Sequence, residues 1–325
     1  MNIQRRPVCG ALLALGFSAL GAAAQPLSSR PIRIVVPFGP GGVADLTVRS
    51  VAQAMAASMG QSIVVDNKPG AGGVVAATAV ATAAPDGHTL LLMSNGTAVS
   101  AGLFATLPYD TLKDFAPIST LGTFDLAVLA AANGRLASLQ ALIQQARARP
   151  GLLNIGTINV GSTQHLAAEL LKSTLGIDVQ VVPFNGTPAV VTALRGGQID
   201  AAVEILAPVM PQVTGQALRV LAVLGGQRAR ALPDVPTVAQ SDAAAAGLDV
   251  SSWNALAAPA RTPPEVVARL NREVQAALAR PALRRQLQEL GVEPRGGTPA
   301  ELGALLAGEI RRWSGVIDRV GIPKQ

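Results

Sequence analysis

VVPFGPGGVADL occupies residues 35–46. It begins as an apolar β run, turns through glycines and enters a stretch with helical spacing. Gly39, Gly41 and Ala44 match G-x-G-x-x-A, the dinucleotide-binding fingerprint, and Asp66 follows 22 residues after Ala44, near where a ribose-binding acid belongs. Two residues argue against a nucleotide. Pro40 removes an N–H from the middle of the loop. Asp45 puts a negative charge in the first helical turn, where it would repel a pyrophosphate. No phosphate-loop lysine motif accompanies them. What remains is a strand–loop–helix junction whose unpaired N–H groups and helix dipole suit a small anion. Asp45 is left with three openings: capping its own helix, accepting from a protonated ligand group, or holding a water.

The same junction recurs along the chain. Apolar runs at 32–38, 62–65 and 89–93 alternate with helical patterns at 44–59 and 74–84. This is βαβ spacing, which implies parallel strands. Ser94, Asn95, Gly96 and Thr97 form a polar loop at the end of the third run. An apolar segment at 124–131 is expected to cross into a second lobe, where strands at 153–156, 180–184, 199–205 and 218–223 alternate with helices at 163–174 and 189–194. VVPF appears again at 181–184, once more ahead of a glycine turn. A strand at 250–258 and three helices at 263–278, 281–290 and 299–320, with Ser/Thr or Pro at their starts, are expected to return to the first lobe.

Composition narrows the class. Arg5 and Arg6, the apolar stretch 8–20 and the Ala22–Ala24 run read as a cleavable secretory leader covering 1–24. The single cysteine, Cys9, lies inside that leader, so the mature chain is expected to have neither disulfide nor cysteine metal site. Export would also remove the chain from nucleotide and nicotinamide pools. Without the leader, 24 basic residues face 20 acidic ones. That mild excess, with few aromatics and no basic run, does not suit nucleic acid and does suit small anions. About 300 residues exceed one hydrophobic core, so two domains are expected.

An enzyme is a poor reading. There is no G-x-S-x-G elbow and no H-E-x-x-H. His88 sits in a PDGHT turn, where packing or solvation explains it. His165 follows Gly161 and Ser162 at a helix start, where it could cap, pack or face a ligand. Trp253 could wall a pocket or fill the core. No cofactor and no metal are expected.

Several longer stretches carry a resemblance. RPIRIVVPFGPGG-x-x-D (30–45), VVDNKPGAGG (64–73), APDGHTLLL (84–92), LPYD-x-x-KDFAPIS (107–119), GS-x-x-HLA-x-EL (161–170), VPFNGTPA (182–189), LRGGQID (194–200) and ALPDVPTVAQ (231–240) stand in order along the chain, followed by the Ser252–Trp253 pair. Together they resemble the periplasmic solute-binding proteins of tripartite tricarboxylate transporters, the Bug family, over essentially all of 30–323. The resemblance implies an α/β, two-lobed Venus-flytrap fold, each lobe a mixed, mostly parallel sheet flanked by helices. Residues 25–125 plus 248–325 would form lobe 1, and 126–247 lobe 2. It implies a small carboxylate ligand, a membrane permease partner and a monomer located in the periplasm. A receptor kinase taking the ligand-bound clamp is the alternative partner.

Carried onto this chain, the first-lobe contacts are Phe38, Gly41, Gly42, Asp45, Ser94, Gly96 and Thr97. The second-lobe candidates are Thr157, Ser162, His165, Asn185 and Glu204, which would set the ligand's far end. The chain departs from the family at INVG (158–161), at Phe184 where tyrosine is common, and at Glu204 where Asp or a smaller residue is frequent. In the cleft, Glu204 would disfavour a second carboxylate and favour an amine or amide. Outside it, Glu204 would pair with an arginine.

Overall fold

The computed structural model describes Met1 and residues 30–325. Apart from Met1, the expected leader lies outside the described residues. Among those described, no helix is long and apolar enough to cross a membrane.

The first lobe is built on β1 (Ile32–Val36), with β2 (Ile63–Asn67) and β3 (Thr89–Ser94) paired parallel on either side. Between β1 and β2 runs α1 (Val43–Met59), which ends at Gly60 in the left-handed conformation. Next in the sheet comes β9 (Ser251–Pro259), antiparallel to β3, and then β4 (Phe115–Ala131), antiparallel to β9. β4 is the strand shared by both lobes. Its residues from Phe115 to Asp125 pair with β9. From Leu126 onward it pairs with β7 (Ala201–Ile205) and β8 (Leu218–Val223). Beyond β7 lie β5 (Asn154–Ile158) and β6 (Gln180–Phe184), both parallel.

The strand order is therefore β2-β1-β3-β9-β4-β7-β5-β6, with β8 and the short β10 (Glu293–Pro294) also on β4. The two lobes repeat one plan, three parallel strands outside and antiparallel pairing toward β4. The antiparallel part is larger than a mostly parallel sheet implies, because one 17-residue strand serves both lobes.

Helices cover both faces. On one, α1 packs with α9 (Pro264–Leu278) and α10 (Pro281–Glu289) through Val48, Val51, Met55, Leu270, Val274 and Leu287. In the second lobe the same face carries α6 (Thr187–Arg195) and α7 (Leu206–Thr214). On the other face lie α3 (Asn95–Leu103), α5 (Thr163–Leu175) and α11 (Pro299–Val320), with Leu103, Leu166, Leu171, Trp313 and Ile317 buried between them. α11 starts on a Thr298–Glu301 capping box with Pro299 in its first turn.

Three local expectations change. Ser94–Thr97 is the start of α3 rather than a loop: Ser94 Oγ accepts from the Gly96 N–H and Thr97 Oγ1 from the Ser94 N–H. Residues 206–214 form α7 despite Pro211 inside it. β4 begins at Phe115, nine residues before the apolar segment that announced it.

Candidate functional site

The sheet brings the ends of β1, β3, β5, β6 and β7, and the helix starts that follow them, toward one another across the β4 crossing. Strand ends in open α/β sheets are where ligands bind.

The first loop is held by its own acid. Gly42 is the N-cap of α1 and provides no side-chain cap. Asp45, only 1% exposed, sits in the first turn instead. Its Oδ2 accepts from the Gly41 N–H at 2.9 Å, its Oδ1 accepts from Asn67 Nδ2 at 2.8 Å, and Arg49 Nε donates to both oxygens. Asn67 Nδ2 also donates to the Phe38 carbonyl, and Arg49 Nη2 to Asn67 Oδ1. Burial alone would raise this carboxyl's pKa. The hydrogen bonds from Arg49, Gly41 and Asn67, with the Arg49 charge, outweigh it and hold the pKa below the usual carboxylate value.

The turn through Gly41 needs φ +86°, a conformation glycine adopts without strain. Of the openings left to Asp45, the structure uses an internal one. Its carboxylate occupies the place beside the Gly41 N–H that an incoming phosphate would need. Asp66, whose spacing matched the fingerprint, points outward to Arg33 and Lys68 at 3.6 Å, while its neighbour Asn67 faces the loop. Phe38, Gly41 and Gly42 are exposed beside this scaffold.

At the second lobe the starts of α5 and α6 meet the end of β7. Ser162 caps α5: its Oγ accepts from the His165 N–H and donates to the Ile158 carbonyl. His165 is buried, and the loss of solvation lowers its pKa, favouring the neutral ring. Its Nδ1 accepts from the Gly161 N–H at 3.4 Å, so Nε2 carries the proton. Asn185 is exposed in the turn before α6. Gly186, the N-cap of α6, stands at φ +91° and provides no side-chain cap. Thr157 is wholly buried, and its Oγ1 has no hydrogen-bond partner among the described residues.

Glu204 is the opposite of Asp45. It is 0% exposed. Oε2 accepts from Gln164 Nε2 at 3.2 Å and from Thr187 Oγ1 at 3.1 Å, and Oε1 has no partner in hydrogen-bond geometry. Among the described residues no cation pairs with it, so the arginine partner considered above is replaced by an amide and a hydroxyl. Burial pushes its pKa up to about 7, against weaker opposing hydrogen bonds from Gln164, Thr187 and the Ile205 N–H.

The lobes touch here. Asn95 Nδ2 donates to Thr163 Oγ1 at 3.4 Å, and Trp313 Nε1 donates to Asn95 Oδ1 and Glu309 Oε2. Gly161 stands at φ +79°, which favours glycine, and a Cβ there would come 2.5 Å from Leu103 Cδ2 of α3, which would have to turn aside. The cavities described, including a groove of about 860 Å³ lined by Asp125, Met210, Arg230 and Glu293, lie beside the β4 crossing and are not lined by the twelve candidate residues. Trp253 is core.

Asn67, Arg49, Asn95, Gln164 and Thr187 were not among the candidates. Asn67 could have been found, since it lies in the VVDNKPGAGG stretch and is the last residue of β2. The other four become visible only through partners distant in sequence or on another turn.

Two lobes joined by a crossing strand, with helix starts facing each other between them, define a solute-binding clamp. A family profile described as "Tripartite tricarboxylate transporter family receptor" matches residues 47–322, and the chain belongs to that family. It is a family of solute-binding receptors, not of enzymes. "Protein BugT" of Bordetella pertussis is 35% identical over 324 residues, covering 99% of both chains. The periplasmic binding protein BugD superposes with a TM-score of 0.76 at 30% identity, covering 91% of this chain and 99% of that one. MatC of Rhodopseudomonas palustris, solved with bound malate, gives a TM-score of 0.74 at 34% identity, covering 89% and 99%.

Proposed function

We propose that this protein captures a small organic carboxylate in the periplasm and presents it to the membrane subunits of a tripartite tricarboxylate-type transporter. The carrying observation is the first loop. α1 has no side-chain cap, and the buried Asp45–Asn67–Arg49 cluster fixes the backbone ahead of it. The first-turn N–H groups of such a helix have no intrahelical acceptor, and the dipole favours an anion there. The malate in MatC supports a carboxylate as that anion.

On this reading residues 25–125 plus 248–325 move as one lobe and 126–247 as the other. The pairing change in β4 at Asp125–Leu126 supports a hinge there. Ligand entry parts the Asn95–Thr163 contact, and differential affinity for the closed form drives reclosure. Residues 1–24 are the leader that delivers the chain to the periplasm.

A thermal-shift and calorimetric screen of mono- and dicarboxylates, amino acids and nicotinate-type acids tests the reading. It expects at least one class to raise the melting temperature in a concentration-dependent way. Combining Asp45→Ala with Ser162→Ala should abolish that shift. Persistence of the shift would place the site elsewhere.

A further inference from the structure

Resting on the carboxylate-capture reading, we infer that Glu204 sets the ligand's far end: its free oxygen accepts a hydrogen bond from a nitrogen donor, so the ligand is a carboxylate ending in an ammonium or amide rather than a second carboxylate.

The two ends of the site have opposite character. The first-lobe end presents helix N–H groups, with its one acid saturated by four hydrogen bonds. The second-lobe end presents an acid with a buried oxygen, Oε1, that has no hydrogen-bond partner among the described residues. Both side-chain donors, Gln164 and Thr187, converge on Oε2, and Oε1 has no hydrogen-bond partner among the described residues.

A second unsatisfied buried atom, Thr157 Oγ1, lies near the end of β5, the strand paired beside β7. Native proteins leave few buried polar atoms unpaired, which marks Oε1 as open to an outside partner; the register sets Thr157 level with Val203, on the opposite face from Glu204.

A far-end carboxylate finds no cation among these second-lobe residues, and the uncapped start of α6 would have to hold it beside Glu204. Carboxylates are normally recognised by Arg or Lys. The second-lobe candidates Thr157, Ser162, Asn185 and Glu204 include no cation, and burial keeps His165 neutral. A dicarboxylate would set a charge against Glu204 in a dry site. An N–H donor satisfies Oε1, and an ammonium also supplies the countercharge Glu204 lacks. With its pKa at about 7, Glu204 presents its charge only from neutral pH upward, so the contrast between the ligands is read above pH 7. Sites built to hydrogen-bond a ligand group reject analogues lacking it strongly, because the protein atom is then left unpaired.

The test is calorimetry on the leaderless protein with chain-matched probes: succinate, succinamate and 4-aminobutanoate, then adipate and 6-aminohexanoate. Wild type should bind a nitrogen-ended probe at least about tenfold more tightly than the matched diacid. Which of 4-aminobutanoate and succinamate binds better separates ammonium from amide. In Glu204→Gln, with folding checked by circular dichroism, that preference should fall at least tenfold and diacid binding should improve. A wild-type preference for the diacids, or a ranking unchanged in Glu204→Gln, overturns the inference and leaves carboxylate capture standing. Failure of every probe to bind overturns both.

Discussion

Asp45 and Glu204 are two carboxylates with almost no exposed surface, Asp45 in the first turn of α1 and Glu204 near the end of β7. Asp45 is given four hydrogen bonds and a half-exposed arginine, and its pKa falls. Glu204 is given only neutral donors, two side chains on one oxygen and the Ile205 N–H, and burial raises its pKa to about 7. Glu204 lies deep and Asp45 near the surface, so the larger desolvation of Glu204 and the richer partners of Asp45 push the two signs apart together. The first lobe spends its acid on holding a loop. The second keeps an acid in reserve, at a cost to its own stability.

The sharpest way to break this contrast is Asp45→Ala. It orphans the Gly41 N–H and removes acceptors from Asn67 and Arg49, so urea denaturation should show a loss of about 2–4 kcal/mol near neutral pH. Because the folded pKa is depressed, that contribution exists above the unfolded value of 3.8 and disappears as pH falls below it. A loss that persists unchanged in strong acid would mean the carboxylate's charge is irrelevant.

Glu204→Gln should act in the opposite direction. The folded pKa is raised from 4.5 to about 7, so the folded state holds the extra proton between those values. Stability is therefore present below pH 4.5, declines as pH rises toward 7 and then levels off. At 1.36 kcal/mol per unit the ceiling is about 3 kcal/mol, and the expected gain for Glu204→Gln at pH 8 is about 1–3 kcal/mol, with little change at pH 4.5. Paired melts at the two pH values decide it; equal effects at both would show that the carboxyl does not titrate there.

Ser162→Ala removes the α5 cap and should cost about 1 kcal/mol. The same readout on α1 has no counterpart, since Gly42 offers no cap. Smallest is Asn95→Ala, which removes the hydrogen bond between lobes at 3.4 Å and one acceptor of Trp313 Nε1. A loss of about 0.5–1 kcal/mol is expected. The more telling readout is small-angle scattering: the radius of gyration should rise if this contact helps hold the lobes together.

Much of the fold was legible. β6, β8 and α11 have the bounds their patterns implied, because each is framed by clear signals, such as Thr298, Pro299 and Gly321 around α11. α3 was hidden because its first turn is written in Ser, Asn, Gly and Thr, residues that favour caps and turns alike. α7 was hidden by its prolines, and the first half of β4 by Pro117 and Gly122. In the site, the loop positions could be read from glycines at strand ends, but the state of each acid could not. Asp66 had the right spacing and points away; Asn67 had no motif and holds the loop.

By itself the sequence determined the alternation of strands and helices, the anion-suited junction at 35–46 and the repeat of that junction in a second half, because hydrophobic period, glycine and proline act over neighbouring residues. Only the tertiary structure decided which acids are satisfied. Asn67 lies 22 positions from Asp45, and Gln164 and Thr187 lie 40 and 17 positions from Glu204. A carboxylate's charge is set by whatever the fold brings within about 3 Å, and that set of neighbours does not exist until the sheet has formed.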